Sequence, residues 1–345
     1  MSTPTPSRTP ALHTHTTTRG YTYTYHFLSP SPSSPPKPTL ILLHGFISTS
    51  RIWTAQIAHF AALGYGLLVP DMLGYGATAT PVDAAAYVVC ALARDVVELM
   101  DKEGVERAVV VGHDWGSLVA SRLLDLHPAR FAAAAFFSLG YYPPDPVPFD
   151  AAAQAATLTS AYGRELFGYW TFFAEERTAG VVERNMDSFL SLVFPNSPEL
   201  WLEHFCPSGA AKAWIEGNKT CPLPAYVSAE EREYYKSILL EGGMAAPLGY
   251  YRAMVLGLNA EAEKAIPQSA YTLPRATPIF FGACTKDYIC VPALGADAFA
   301  QHTSAEGKQR GQVTVHEFDA GHWVLLECAG EVSEALEAWL EGVGL

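Results

Sequence analysis

Val109-Val-Val-Gly-His-Asp-Trp-Gly-Ser117 is the stretch on which the fold turns. An apolar run enters Gly112-x-Asp114-x-Gly116, and a segment of helical pattern, 117–127, follows at once. A strand that becomes a helix within so few residues needs glycine where the chain bends and where the helix approaches the sheet. The central residue of such a turn is held on a strained strand-to-helix corner with its side chain exposed. Here that residue is Asp114. Read alone, Asp114 would serve equally well as the N-cap of the helix behind it.

Outward from this stretch, short apolar runs recur at 39–43, 66–69, 131–137, 278–281 and 313–318. They do not alternate, as expected of strands covered on both faces in a parallel sheet. Residues 21–27 differ: Tyr21, Tyr23, Tyr25 and Phe27 alternate with Thr and His, which predicts a half-buried strand. The five prolines of 29–38 predict a loop. Helical segments at 84–102, 117–127 and 331–341 fall between the runs. Together they predict an α/β fold with a mostly parallel central sheet and right-handed crossovers.

Between 141 and 265 the alternation stops. That segment opens on the turn-rich Tyr141-Tyr-Pro-Pro-Asp-Pro and holds 19 of the 41 Phe, Trp and Tyr of the chain. It predicts an inserted helical cap, 141–265, with an apolar inner face. The core domain would then comprise 19–140 and 266–345. Residues 1–18 are polar without a period and are expected to form a disordered extension.

The composition mainly excludes. The chain has 345 residues, and 22 Lys and Arg against 35 Asp and Glu give a net charge of −13. Nucleic-acid binding draws on clustered cations that are missing here, and so does docking on an anionic membrane. No apolar run approaches the ~20 residues of a membrane span. The N-terminus lacks the apolar centre of a signal peptide, and Gly342-Val-Gly-Leu345 is not a peroxisomal address, so a cytoplasmic protein is expected. Six scattered cysteines without CxxC spacing suit reduced thiols. The sequon Asn218–Thr220 is the one feature that points the other way.

The aspartate at the corner selects the chemistry. A serine attacking an alkyl carbon would leave a stable ether. A carboxylate attacking the same carbon leaves an ester that water can cleave at the Asp carbonyl. Displacement at an sp³ carbon followed by hydrolysis therefore fits Asp114. A base is then required, and His322 in Ala320-Gly-His-Trp-Val lies just after the last apolar run. An orienting acid, Asp287, follows the run 278–281. The order Asp114, Asp287, His322 is nucleophile, acid, histidine, each at a strand's carboxyl end, where open α/β sheets place their sites. Leu43-His44-Gly45-Phe46 follows another strand, so the Phe46 amide, with that of Trp115, could form an oxyanion hole.

With these residues in place the chain resembles the soluble-type epoxide hydrolases of the α/β-hydrolase fold. The resemblance rests on His44-Gly-Phe, Asp71-Met-Leu-Gly-Tyr-Gly76, Gly112-His-Asp-Trp-Gly116, Lys286-Asp287 and Gly321-His-Trp-Val-Leu-Leu-Glu327. It implies a triad of Asp114, His322 and Asp287, and two cap tyrosines that hold and protonate the epoxide oxygen. Tyr169 and Tyr251 occupy the similar positions, with Tyr250 a rival to the second. Together with Trp115 they would line the substrate site. The implied partners are a small apolar epoxide and water, without cofactor or metal. In one place the sequence departs from the family: Ile47 stands where His-Gly-Phe is usually followed by proline, which leaves the oxyanion loop open.

Two other readings share parts of this pattern. A haloalkane dehalogenase would use the same triad, but usually supplies a side-chain donor where Phe46 has none. A dehalogenase with a Glu after the sixth strand finds no match in Phe137-Ser-Leu-Gly-Tyr, and a fluoroacetate-type enzyme would want Arg in place of Trp115. A binding protein that keeps the fold as a pocket would be expected to have lost a triad member. The sequence leaves the epoxide, its stereochemistry and the oligomeric state unspecified.

Overall fold

In the computed structural model, residues 8–32, 36–271, 273, 277–303 and 313–345 are described. Eight strands form one sheet: β1 (Ala11–Thr16), β2 (Thr22–Leu28), β3 (Thr39–Leu43), β4 (Gly66–Pro70), β5 (Ala108–His113), β6 (Phe131–Phe137), β7 (Ile279–Cys284) and β8 (Val313–Phe318). Their order is β1-β2-β4-β3-β5-β6-β7-β8. Pairing is parallel from β4 to β8 and antiparallel at β1–β2 and β2–β4. β3, β4, β5 and β7 are buried along their whole length, which accounts for their unalternating apolar sequences.

β1 corrects the expectation of a disordered extension. Residues 11–16 pair with β2 from Ala11↔Phe27 to Thr16↔Thr22. This is an edge strand with largely exposed side chains. It therefore carries no apolar stripe, and backbone pairing with the anchored Tyr23 and Tyr25 of β2 holds it. Residues 1–7 lie outside the described residues. The helix expected over 84–102 is also in two parts: a 3₁₀ turn Ala84–Tyr87 and a helix Val89–Lys102. At the break Val88 is extended, and the Val89 N–H donates to Asn259 Oδ1 at 2.9 Å, so a side chain from near the end of the insertion caps the second part.

Between β6 and β7 the chain forms helices and loops, with no strand among the described residues, and they roof the carboxyl ends of the sheet. Fully buried Arg122, on the helix Trp115–Leu126, ties both ends of this cap to the core. It donates to Asp125 at 2.7 Å, to Glu263 at 2.7 Å, and to the carbonyls of Tyr142 and Pro143 at 2.8 and 3.0 Å. Glu263 in turn accepts the Asp145 N–H at 2.7 Å. Arg122→Met would leave two buried carboxylates without their cation. Chemical denaturation of this variant should show a loss of about 3–5 kcal/mol. All six cysteines are free. No helix among the described residues is long and apolar enough to cross a membrane.

Candidate active site

β5 ends at His113 and the helix begins at Trp115, so Asp114 alone makes the bend, at φ 54° and ψ −123°. Such a conformation costs a non-glycine residue of order 1–3 kcal/mol and persists only where the surroundings enforce it. The enforcement is steric and close. A Cβ on Gly116 would lie 2.1 Å from the Leu43 carbonyl oxygen, so the start of the helix can press on β3 only as glycine. Asp114 makes no side-chain cap hydrogen bond to its helix, which removes the N-cap reading.

Its carboxylate turns instead to the loop after β3. The Phe46 N–H donates to Asp114 Oδ1 at 2.7 Å, and the Trp115 amide also supports the charge. Gly45 is needed there, because a Cβ would sit 2.2 Å from Asp114 Oδ1. The next residue, Ile47, has φ 56°, which proline, fixed near −65°, cannot adopt. The Ile47 N–H donates to the Tyr75 hydroxyl at 3.4 Å, a bond proline could not give. His44 accepts the Met72 N–H at Nε2, 2.9 Å, and so donates from Nδ1 to the Gly45 carbonyl, 3.0 Å. The loop is thus pinned on both sides without the family's proline.

His322 follows β8 and stands between the two acids. Its Nδ1 is 2.8 Å from Asp287 Oδ2 and its Nε2 is 3.7 Å from Asp114 Oδ2. Asp287 Oδ1 accepts the N–H groups of Ile289 and Cys290 at 3.0 and 2.9 Å. All three residues are buried: Asp114 is 9% exposed, His322 5% and Asp287 1%. Burial alone would raise Asp287, but His322 and the two amides outweigh it and hold the carboxyl below its usual range. Burial would likewise lower His322, but Asp287 and then Asp114 raise it. Asp114 is raised by burial, against the opposing pull of His322 and the two amides.

Two further groups fix the histidine, and sequence reasoning missed both. The His322 carbonyl accepts from His113 Nε2 at 2.8 Å and from the Ser138 hydroxyl at 3.1 Å. Burial and the neighbouring His322 push His113 down to about 3, so it stays a neutral donor. His113 lies inside the decisive stretch. Ser138, at φ 62°, follows β6 directly, and its place at the strand's carboxyl end was the available signal.

Tyr169 and Tyr251 meet above Asp114, their rings edge to face at 5.8 Å. With Phe46, Asp114 and His322 they line a narrow pocket of about 20 Å³. Burial, reinforced by neighbouring acids that include Asp114, pushes both phenols well above their ordinary value. Tyr250 is placed elsewhere: its hydroxyl donates to the Leu73 carbonyl at 3.0 Å, and its ring packs on Tyr75 and Tyr87. Trp115 lines a second narrow pocket, of about 30 Å³, with Asp114, Tyr169 and Met254. Its ring stacks on Trp170 at 5.8 Å and meets Tyr251 edge-on at 5.2 Å. Chemically, the arrangement sets one desolvated carboxylate beneath two phenols and beside an oriented imidazole.

Residues 38–328 match the family described as alpha/beta hydrolase fold. Epoxide hydrolase A of Mycobacterium tuberculosis (strain ATCC 25618 / H37Rv) is 31% identical over 316 residues, 90% of this chain and 92% of that one. The bifunctional epoxide hydrolase 2 of Rattus norvegicus is 26% identical over 88% of this chain and 52% of its own, so the chain spans about half of that relative. The crystal structure of epoxide hydrolase A from Mycobacterium thermoresistibile superposes with a TM-score of 0.77 at 27% identity, covering 97% of this chain and 99% of that one. Sheet order, inserted cap and relatives agree, and the chain belongs to the α/β-hydrolase-fold family, among its epoxide hydrolases.

Proposed function

We propose that the protein converts an apolar epoxide to a vicinal diol through a covalent ester on Asp114. The observation that carries this reading is the clamp on that carboxylate. Oδ1 is held by the Phe46 amide at 2.7 Å, which leaves Oδ2 as the attacking atom beneath Tyr169 and Tyr251. Oδ2 bonds to an epoxide carbon, the ring C–O bond breaks, and a phenol of the tyrosine pair gives its proton to the departing alkoxide. A phenol is ordinarily a far stronger acid than the alcohol that the departing alkoxide becomes.

In the second half, His322 Nε2 takes a proton from water, and the hydroxide attacks the carbonyl carbon of the ester. The oxyanion falls to the amides of Phe46 and Trp115, whose preorganised N–H groups cost no rearrangement. Collapse of the tetrahedral intermediate releases the diol, and the imidazolium's proton restores the phenol. Asp287 holds His322 in the tautomer with Nδ1–H, and forming the ester removes the Asp114 charge that raises His322. The base is therefore more readily neutral at the step that uses it. The cap, 141–265, supplies the acids, and the core, 11–140 and 266–345 with β1 included, supplies nucleophile, base and oxyanion hole.

Single turnover in ¹⁸O-water with enzyme in excess tests this. The first diol formed should be unlabelled, because its new oxygen comes from Asp114, and the label should enter the Asp114 carboxylate. Label appearing directly in that first diol would mean that water attacks the epoxide itself.

A further inference from the structure

The space around Asp114 extends in two directions of different character. On one side the chamber with His322 ends against Val193, Trp201 and Phe205. On the other, Tyr142, Phe167 and Met254 line both the chamber at Trp115 and a wider cleft of about 330 Å³ beside the helix Ala151–Tyr162. Those three apolar side chains form the neck between the nucleophile and the surface. Beyond the neck the lining turns acidic: Asp145 and Asp150, both exposed, and Glu263. An adjoining groove shares Tyr142 and Asp145 and adds Asp297. No Lys, Arg or His lines the cleft, the groove or the Trp115 chamber among the described residues. Arg122, behind the cleft, is already shared by Asp125 and Glu263.

We propose, on the epoxide-hydrolase reading above, that the substrate is an elongated epoxide with an uncharged tail. Its ring lies at Asp114, its longer arm passes the neck of Tyr142, Phe167 and Met254, and the carboxylates of the cleft disfavour an anionic tail end. The neck gives the arm an apolar surface. The exposed carboxylates of Asp145, Asp150 and Asp297 repel an anionic end group, a repulsion that is strongest at low salt.

The acidic residues can be neutralised without disturbing the fold, because asparagine reproduces their local bonds. Asp150 accepts the N–H groups of Ala152 and Ala153 as an N-cap, Asp145 accepts that of Val147, and Asp297 accepts the Tyr162 hydroxyl. The test compares kcat/KM for two terminal epoxides of the same carbon chain, one ending in a methyl ester and one in a carboxylate, with styrene oxide as reference. The ester should exceed the carboxylate by at least about tenfold at low salt. Asp145→Asn with Asp150→Asn and Asp297→Asn should shrink that ratio at least about threefold, by improving the carboxylate substrate. A carboxylate turned over as well as the ester, or a ratio the triple variant leaves unmoved, overturns the inference while styrene oxide is still hydrolysed. If styrene oxide and both chain epoxides yield no diol, the epoxide-hydrolase reading itself fails, and this inference with it.

Discussion

Tyr169→Phe combined with Tyr251→Phe is expected to lower epoxide turnover at least ~10²-fold. Opening the ring creates an alkoxide, and without a proton it is a poor leaving group in so dry a site. Both hydroxyls stand in the cavity that holds Asp114 and His322, and burial keeps both protonated. Phenylalanine preserves the ring contacts that fill the space, including the stack of Tyr169 on Phe205 at 4.1 Å. The loss should therefore be in kcat with styrene oxide, at unchanged folding by circular dichroism. Retained activity would mean that the proton comes from elsewhere. Tyr250 would not be the replacement, since its hydroxyl is committed to Leu73.

His322→Gln carries the larger effect. Steady-state turnover should fall at least ~10³-fold, because no other base lines the cavity with Asp114 among the described residues. The loss should be unequal between the two halves of the reaction. Alkylation of Asp114 needs the carboxylate, the amides and the tyrosines, none of which the substitution removes. Hydrolysis of the ester needs the imidazole. Pre-steady-state kinetics should accordingly show the epoxide consumed once per enzyme and little diol released thereafter.

Much of the centre was legible because its geometry restricts the residues. A corner at φ 54° with a helix start where a Cβ would lie 2.1 Å from the Leu43 carbonyl oxygen leaves few sequences, and Gly112-x-Asp114-x-Gly116 is one of them. Chain order then paired Asp287 with His322. The choice between Tyr250 and Tyr251 was not legible, since adjacent helical residues point to different neighbours and those neighbours come from distant parts of the chain. Nor was the role of Ser138, whose contact with the His322 carbonyl spans 184 residues of sequence. Arg122 was missed for a similar reason: a lone arginine in a helix usually marks a solvated face. Here its partners Glu263, Tyr142 and Pro143 arrive from both ends of the insertion. β1 escaped notice because backbone pairing and a few polar contacts, such as His13 with Glu103 at 3.0 Å, hold it without an apolar pattern. Ile47 was recognised as a departure, but only the structure shows its amide bonded to Tyr75 and the Phe46 amide still aimed at Asp114.

The most direct test of the central claim is the intact mass of His322→Gln after incubation with styrene oxide. Attack by Asp114 predicts a protein heavier by the whole mass of the epoxide, with the addition mapped to the peptide that contains Asp114. An unmodified mass in a folded variant, or an adduct confined to another residue, would contradict a covalent ester on Asp114.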